Sequence, residues 1–299
     1  MDSRQKDPVL MPKRKIGKTD VEASILIVGG HSFSDLPRKV MPDTKTAVQI
    51  LTYLYRHGMT HFDCTWKRER ERFNILLEES GLREKLLPVV WHGWHDRVEQ
   101  TADQMVESFR IMLGQLGCKK AGMIIMNQWD HKEEHRIYYR DNDPNKFFAE
   151  WFIEGFLKVK AEGLTDAIGW AVEPGPLADE FLSEIHQQID FIAPFWNYRD
   201  RRNQFLVEFA RENGLGIFSI APFRRGDDSI FLNPEIKPSK LIRPWLKWIF
   251  REPSVFATAI SLPGMAEAEM ALTALDDKPM SLDDVLYLKN LKIPIEWPV

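Results

Sequence analysis

Cysteine is almost missing from this sequence: Cys64 and Cys118 are the only two in 299 residues. That excludes a disulfide framework and a cysteine-rich zinc module, and it reads as a chain for a reducing compartment. Long apolar runs are missing too. No stretch approaches the roughly 18 apolar residues that cross a bilayer, and the opening MDSRQKDPVLMPKRKIGKTD lacks the apolar core of a secretion signal. A large charge of one sign is also lacking: the formal net charge is −4, so nothing points to nucleic acid or an anionic membrane surface. No low-complexity tract or Pro/Gly/Ser linker divides the chain. A soluble, cytoplasmic protein with one domain over residues 1–299 is expected.

What is present is a core-forming composition, 44% hydrophobic and 28% charged, arranged in strict alternation. Short continuous apolar runs, of the kind buried on both faces of a parallel sheet, occur at Ala23 to Gly30, Thr60 to Cys64, Leu87 to Trp91, Gly122 to Met126, Asp166 to Trp170, Asp190 to Pro194, Gly216 to Ile220 and Thr258 to Leu262. Segments with helical spacing lie between them, including about Thr44 to His57, Lys67 to Ser80, 98 to 116 and Lys146 to Ala161. Eight strand–helix repeats predict an α/β fold, a (β/α)8 TIM barrel, with a doubly wound open sheet as the alternative. In such a barrel the site is built at the carboxyl ends of the strands.

The stretch GMTHFDCTWKRE, Gly58 to Glu69, is the pivot. Its strand ends on Asp63, a charge that needs a partner or a task when buried. Other strand ends carry His31, Trp91 or His92, and Asn127. Cys64, next to the acid, points to the opposite face and reads as packing. The run KRERER after Trp66 reads mostly as a solvated helix face.

Taken in order, these segments resemble the aldo-keto reductases over nearly the whole chain. RKIGKTDVEASILIVGGHSF is similar to that family's first hairpin and strand, HGMTHFDCT to its GxxxFDTA motif, and EGLTDAIGWA to its EGKIRxIGVS strand. WNYRDRR, ENGLGIFSIAPFRRG and SLPGM are similar to its YNxxxR turn, its GIxxxAYSPLxxG strand and its IPG. The resemblance implies an aldo-keto-reductase-like barrel and, in the family, hydride transfer from NADPH using an Asp, a Tyr, a Lys and a His. Carried over by position, the Asp is Asp63, the Tyr falls on Arg68, the Lys on Trp91 or His92, and the His on Asn127. A guanidinium holds its proton throughout the working range and cannot replace a phenol as general acid. The carboxamide-binding pair falls on Ala171 and Val172, the nicotinamide-stacking aromatic on Ile220, and the 2′-phosphate stretch on MAEAEMALTA with Glu267 and Glu269. Arg224 and Arg225 are the candidates for holding a pyrophosphate, so the cofactor is left open, with NADP(H) doubtful.

Four histidines, His31, His92, His95 and His131, fall at strand ends near acids, but no spacing is diagnostic of a metal and none is assigned. Trp66, Trp91, Trp94, Trp129, Trp170 and Trp196 fall on the same rim, where indoles would stack on a ligand ring. Three functional readings follow. In the first, Asp63 and His92 are an acid/base pair, Asn127 orients the substrate, and the tryptophans and His31 hold a ring-shaped or sugar-like molecule; Arg68, Arg224 and Arg225 are the candidates for an anion clamp. The second is an NADP(H) oxidoreductase using His92 in place of the Tyr–Lys pair. The third is a relative that binds a metabolite or a protein without catalysis.

Overall fold

The computed structural model describes residues 10–34, 41–92, 99–127, 137–142, 148–171, 178–223, 237–276 and 278–291. Two short antiparallel strands come first, β1 (Lys13–Lys15) and β2 (Glu22–Ser24), with Arg14 opposite Ala23. The hairpin carries Ile16 and Ala23 into the apolar interior of the sheet that follows. Arg14 ties it down from outside, donating to the carbonyls of Val255 (2.6 Å), Phe250 (3.0 Å) and Glu252 (3.3 Å).

The eight strands that follow are β3 (Leu26–Gly29), β4 (His61–Cys64), β5 (Leu87–Trp91), β6 (Ala121–Asn127), β7 (Thr165–Ala171), β8 (Phe191–Ile192), β9 (Gly216–Ser219) and β10 (Val255–Ile260). Each pairs in parallel with the next, and β10 closes on β3 with Thr258 opposite Leu26 and Ile260 opposite Val28. That closure sets aside the open-sheet alternative. The described α-helices are α1 (Thr44–Arg56), α2 (Lys67–Ser80), α3 (Ala102–Leu116), α4 (Glu150–Ala161), α5 (Ala178–Ile185), α6 (Gln204–Asn213), α7 (Pro238–Phe250), α8 (Met265–Thr273) and α9 (Leu282–Asn290). Among the described residues no helix is long and apolar enough to cross a membrane.

Side-chain alternation along each strand divides the core in two. Ile27, Val89, Met123, Ile125, Ala167, Phe191 and Phe218 fill the barrel interior. Leu26, Val28, Phe62, Val90, Ile124 and Ile168 face outward onto the apolar stripes of the helices. Gly169 is required by this packing, because a Cβ there would stand 2.1 Å from the Phe191 ring.

Two strands begin three residues away from the sequence expectation. The run Ala23 to Gly30 is split at Ile25, because Ser24 and Thr60 use their hydroxyls to satisfy each other's backbone amides (2.9 and 3.1 Å) and only Leu26 onward joins the barrel ladder. The last strand begins at Val255, three residues before the expected Thr258, and takes an irregular register between Val255 and Ala257.

Candidate active site

At the carboxyl ends of the strands, the inward positions are Gly29 on β3, Asp63 on β4, Trp91 on β5, Asn127 on β6 and Ala171 on β7. Gly29 sits opposite Asp63, and Asn127 opposite Ala171. The one-residue ambiguity between Trp91 and His92 is resolved by the alternation: Trp91 joins the interior cluster and its Nε1 donates to Asp63 Oδ1 at 2.5 Å.

His92 therefore turns outward. It is wedged among Phe109 of α3, Phe152 and Phe156 of α4, and Tyr138, with ring centroids 5.0 to 6.3 Å away. Its Nε2 lies 3.5 Å from Glu99 Oε2, which also accepts from the Tyr138 hydroxyl at 2.7 Å. The expected Asp63–His92 pair is not assembled: the two side chains lie on opposite faces of the barrel wall.

Other expectations are corrected in the same way. Trp170 is an outward position on β7, fully buried and edge-on to Phe148 at 6.4 Å. Trp196 packs against Trp248 of α7, the ring centroids 4.9 Å apart and the planes tilted by 34°. Both belong to the packing between barrel and helices, so neither lines the mouth. Arg68 lies in the first turn of α2, exposed, with its guanidinium 5.8 Å from the Trp66 ring, and it does not meet Asp63. Trp66 itself is the N-cap residue of α2 and is half-buried. Trp94, Trp129, Arg224 and Arg225 lie outside the described residues, as do His95 and His131. Cys64 points outward, its thiol toward the Val89 carbonyl at 3.4 Å, and burial raises its pKa well above the ordinary thiol value.

Asp63 is 8% exposed. Burial pushes its pKa up to about 7, against the pull of the Trp91 hydrogen bond; the charge of Glu69 pushes it up further, and His31 opposes that. A carboxyl poised there exchanges its proton near neutral pH, as a general acid or base must.

Glu69 was hidden in the KRERER run and is no part of a solvated face. It is 1% exposed, at the third residue of α2. Its Oε2 accepts from the amides of Thr65 (2.8 Å) and Trp66 (3.1 Å), closing a capping box, while Oε1 accepts from Ser34 Oγ (3.2 Å) and lies 2.5 Å from His31 Nδ1. Arg70, from the same run, is also fully buried, donating to Gln115 Oε1 and the Thr65 carbonyl, both at 2.8 Å. The signal that marks Glu69 in the sequence is an acid three residues after the residue that caps a helix directly behind a strand. Among the described residues, no three His, Cys, Asp or Glu side chains converge as a metal site would require.

The fold has known counterparts. Solved structures with the same architecture include an aldo-keto reductase from Bacillus halodurans in its holo form, 15% identical, with a TM-score of 0.69 over 96% of this chain and 98% of that one. A thermostable aldo-keto reductase in complex with the inhibitor epalrestat is 20% identical, TM-score 0.69, over 94% of this chain and all of that one. A Pseudomonas aeruginosa chain described as an aldo-keto reductase is 20% identical, TM-score 0.68, over 92% and 99%. No family model and no curated protein matches the sequence. The chain thus has the (β/α)8 barrel of the aldo-keto reductases, at identities that show the fold alone.

Proposed function

We propose that the barrel mouth is an enzyme site that works on a small molecule by acid/base chemistry centred on Asp63, without hydride transfer. The observation that carries this reading is the Trp91 Nε1 to Asp63 Oδ1 hydrogen bond. The position where the resemblance implies an ammonium holds a neutral indole, which cannot keep a buried carboxyl ionised as a cation would. Asp63 is then free to carry a proton at neutral pH, and Asn127, at the inner end of β6 and 5% exposed, is placed to hold a substrate oxygen through its amide. Of the expected tryptophan rim, Trp91 and Trp66 remain as candidate ligand surfaces within the described residues.

NADP(H) fits the described residues poorly. Ala171 and Ile220 offer neither the carboxamide contact nor the stacking ring that the resemblance implies. At the amino end of α8, where a phosphate would sit, Glu267 is folded over Gly264, its Oε2 2.5 Å from where a Cβ there would stand. A carboxylate in that place repels a phosphate monoester. An oxidoreductase reading based on His92 loses its support because His92 faces the helices.

The test is proton exchange. Small hydroxy-carbonyl compounds incubated with the protein in D2O should take up deuterium at carbon, and Asp63→Asn should abolish the uptake. Uptake equal to that of buffer with the wild-type protein would sink the reading.

A further inference from the structure

We infer that Glu69 and His31 form a second acid/base unit at the same mouth, in which the carboxylate fixes Nδ1 of the imidazole and leaves Nε2 for a substrate. This rests on the proposed reading of Asp63 and adds its partner. The geometry is specific. Both oxygens of Glu69 are committed, Oε2 to two backbone amides and Oε1 to His31 and Ser34. A helix cap alone requires only the first pair. Gly30 is what admits this carboxylate: a Cβ there would stand 2.6 Å from Glu69 Oε2 and 3.0 Å from the Asp63 carbonyl. The His31 side chain is 36% exposed while that of Glu69 is fully covered. Among the described residues, His31 Nε2 makes no hydrogen bond. An imidazole with one nitrogen held by a buried carboxylate and the other open is the arrangement of a general base and the group that orients it.

Glu69 is ionised here, because although burial works against its charge, the His31 contact and the two amides outweigh it and lower its pKa. Its charge favours a proton on Asp63, and a charged His31 disfavours one. Proton uptake on His31 therefore promotes release from Asp63. Among the described residues, the titratable groups facing His31 are Glu69 of α2 and Asp63 of β4.

The substrate class that suits such a pair is an α-hydroxy aldehyde or ketone. His31 Nε2 takes the proton from the carbon beside the carbonyl, and the C–H electron pair becomes the C=C bond of an enediol. The carbonyl oxygen takes the proton of Asp63. Return of a proton to the other carbon and of a hydroxyl proton to Asp63 completes an isomerisation with no net oxidation and no co-reactant.

The experiment is nitrogen-15 NMR of the His31 ring in the wild type and in Glu69→Gln. Glutamine keeps an oxygen for the helix cap and turns its amide N–H toward His31. In the wild type the neutral ring should carry its proton on Nδ1, facing Glu69; in the variant that proton should move to Nε2. An unchanged tautomer in folded Glu69→Gln overturns the dyad. Should that variant not fold, the wild type decides: a neutral His31 carrying its proton on Nε2 also overturns it. Deuterium uptake that is lost in Asp63→Asn but untouched in His31→Gln defeats this inference and leaves the proposed function standing. No uptake by the wild type defeats both.

Discussion

Trp91→Phe isolates the interaction on which the proposed function depends, since it keeps an aromatic ring in the mouth and removes the one N–H that, among the described residues, reaches Asp63. A hydrogen bond to a charged group contributes about 1.5–3 kcal/mol, and one to a neutral group about 0.5–1.5 kcal/mol. The variant therefore loses about 1–1.5 kcal/mol more when Asp63 is ionised than when it is protonated, which is about one pKa unit. Asp63 should move from about 7 to roughly 8. The sign of the effect on stability follows from linkage. The folded pKa lies above the ordinary 3.8, so the folded protein holds this proton more tightly than the unfolded chain does. Its stabilising contribution is complete below the unfolded value and is lost as pH rises through the folded one. Wild-type stability should stop falling from this source near pH 7, and the variant should go on falling for about one unit more. Urea unfolding at a series of pH values reads the difference, with Asp63→Asn as the background in which it must vanish. Parallel stability profiles for wild type and variant, or a gap that survives in Asp63→Asn, would refute the reasoning.

Gly30→Ala should cost about 1–3 kcal/mol in urea unfolding, because the new Cβ collides with a carboxylate fixed on both oxygens; unchanged stability would mean that Glu69 is loosely held. Tyr138→Phe removes a donor from buried Glu99 and should cost about 1–3 kcal/mol, while the carbon-13 titration of the Asp63 carboxyl stays in place, since this cluster lies on the outer face of the wall. Arg14→Met leaves three carbonyls short of a donor and should lower stability by about 1–3 kcal/mol, with new protease sensitivity in the β1–β2 hairpin. Titration with NADPH should leave tryptophan fluorescence unchanged apart from absorbance at the concentrations tested; saturable quenching would contradict the poor fit of Ala171, Ile220 and Glu267.

The barrel was legible in the sequence because its signal is repeated: continuous apolar strands, each followed by a helix with one apolar face. The direction of a side chain at a strand end is a different kind of information. Trp91 and His92 are neighbours, and a shift of one residue exchanges which of them meets Asp63. Nothing in the local composition fixes that register; the ladder pairing Trp91 with Ile125 does. Trp170 and Trp196 were placed on the rim by sequence position alone, and alternation and the packing of α7 carry them into the core. Glu69 and Arg70 were obscured for another reason. A run of alternating charges has the composition of a solvated helix face, yet these two lie at the start of α2 where it meets the barrel, and their partners, His31, Ser34 and Gln115, come from distant parts of the chain.

The outward position of Arg68 and the placement of Glu69 have one structural origin. Only Cys64, Thr65 and Trp66 separate Asp63 from the first residue of α2. Arg68 already lies in the first helical turn, on its exposed side. The same short connection draws the third residue of α2 up against the end of β3, where Gly30 leaves room for its carboxylate. That carboxylate takes hold of His31 on one side and biases Asp63 toward its protonated form on the other. Lengthening the connection with two or three inserted residues after Thr65 should release His31 and lower the Asp63 pKa together, and a shift in one without the other would show that the two are not linked through Glu69.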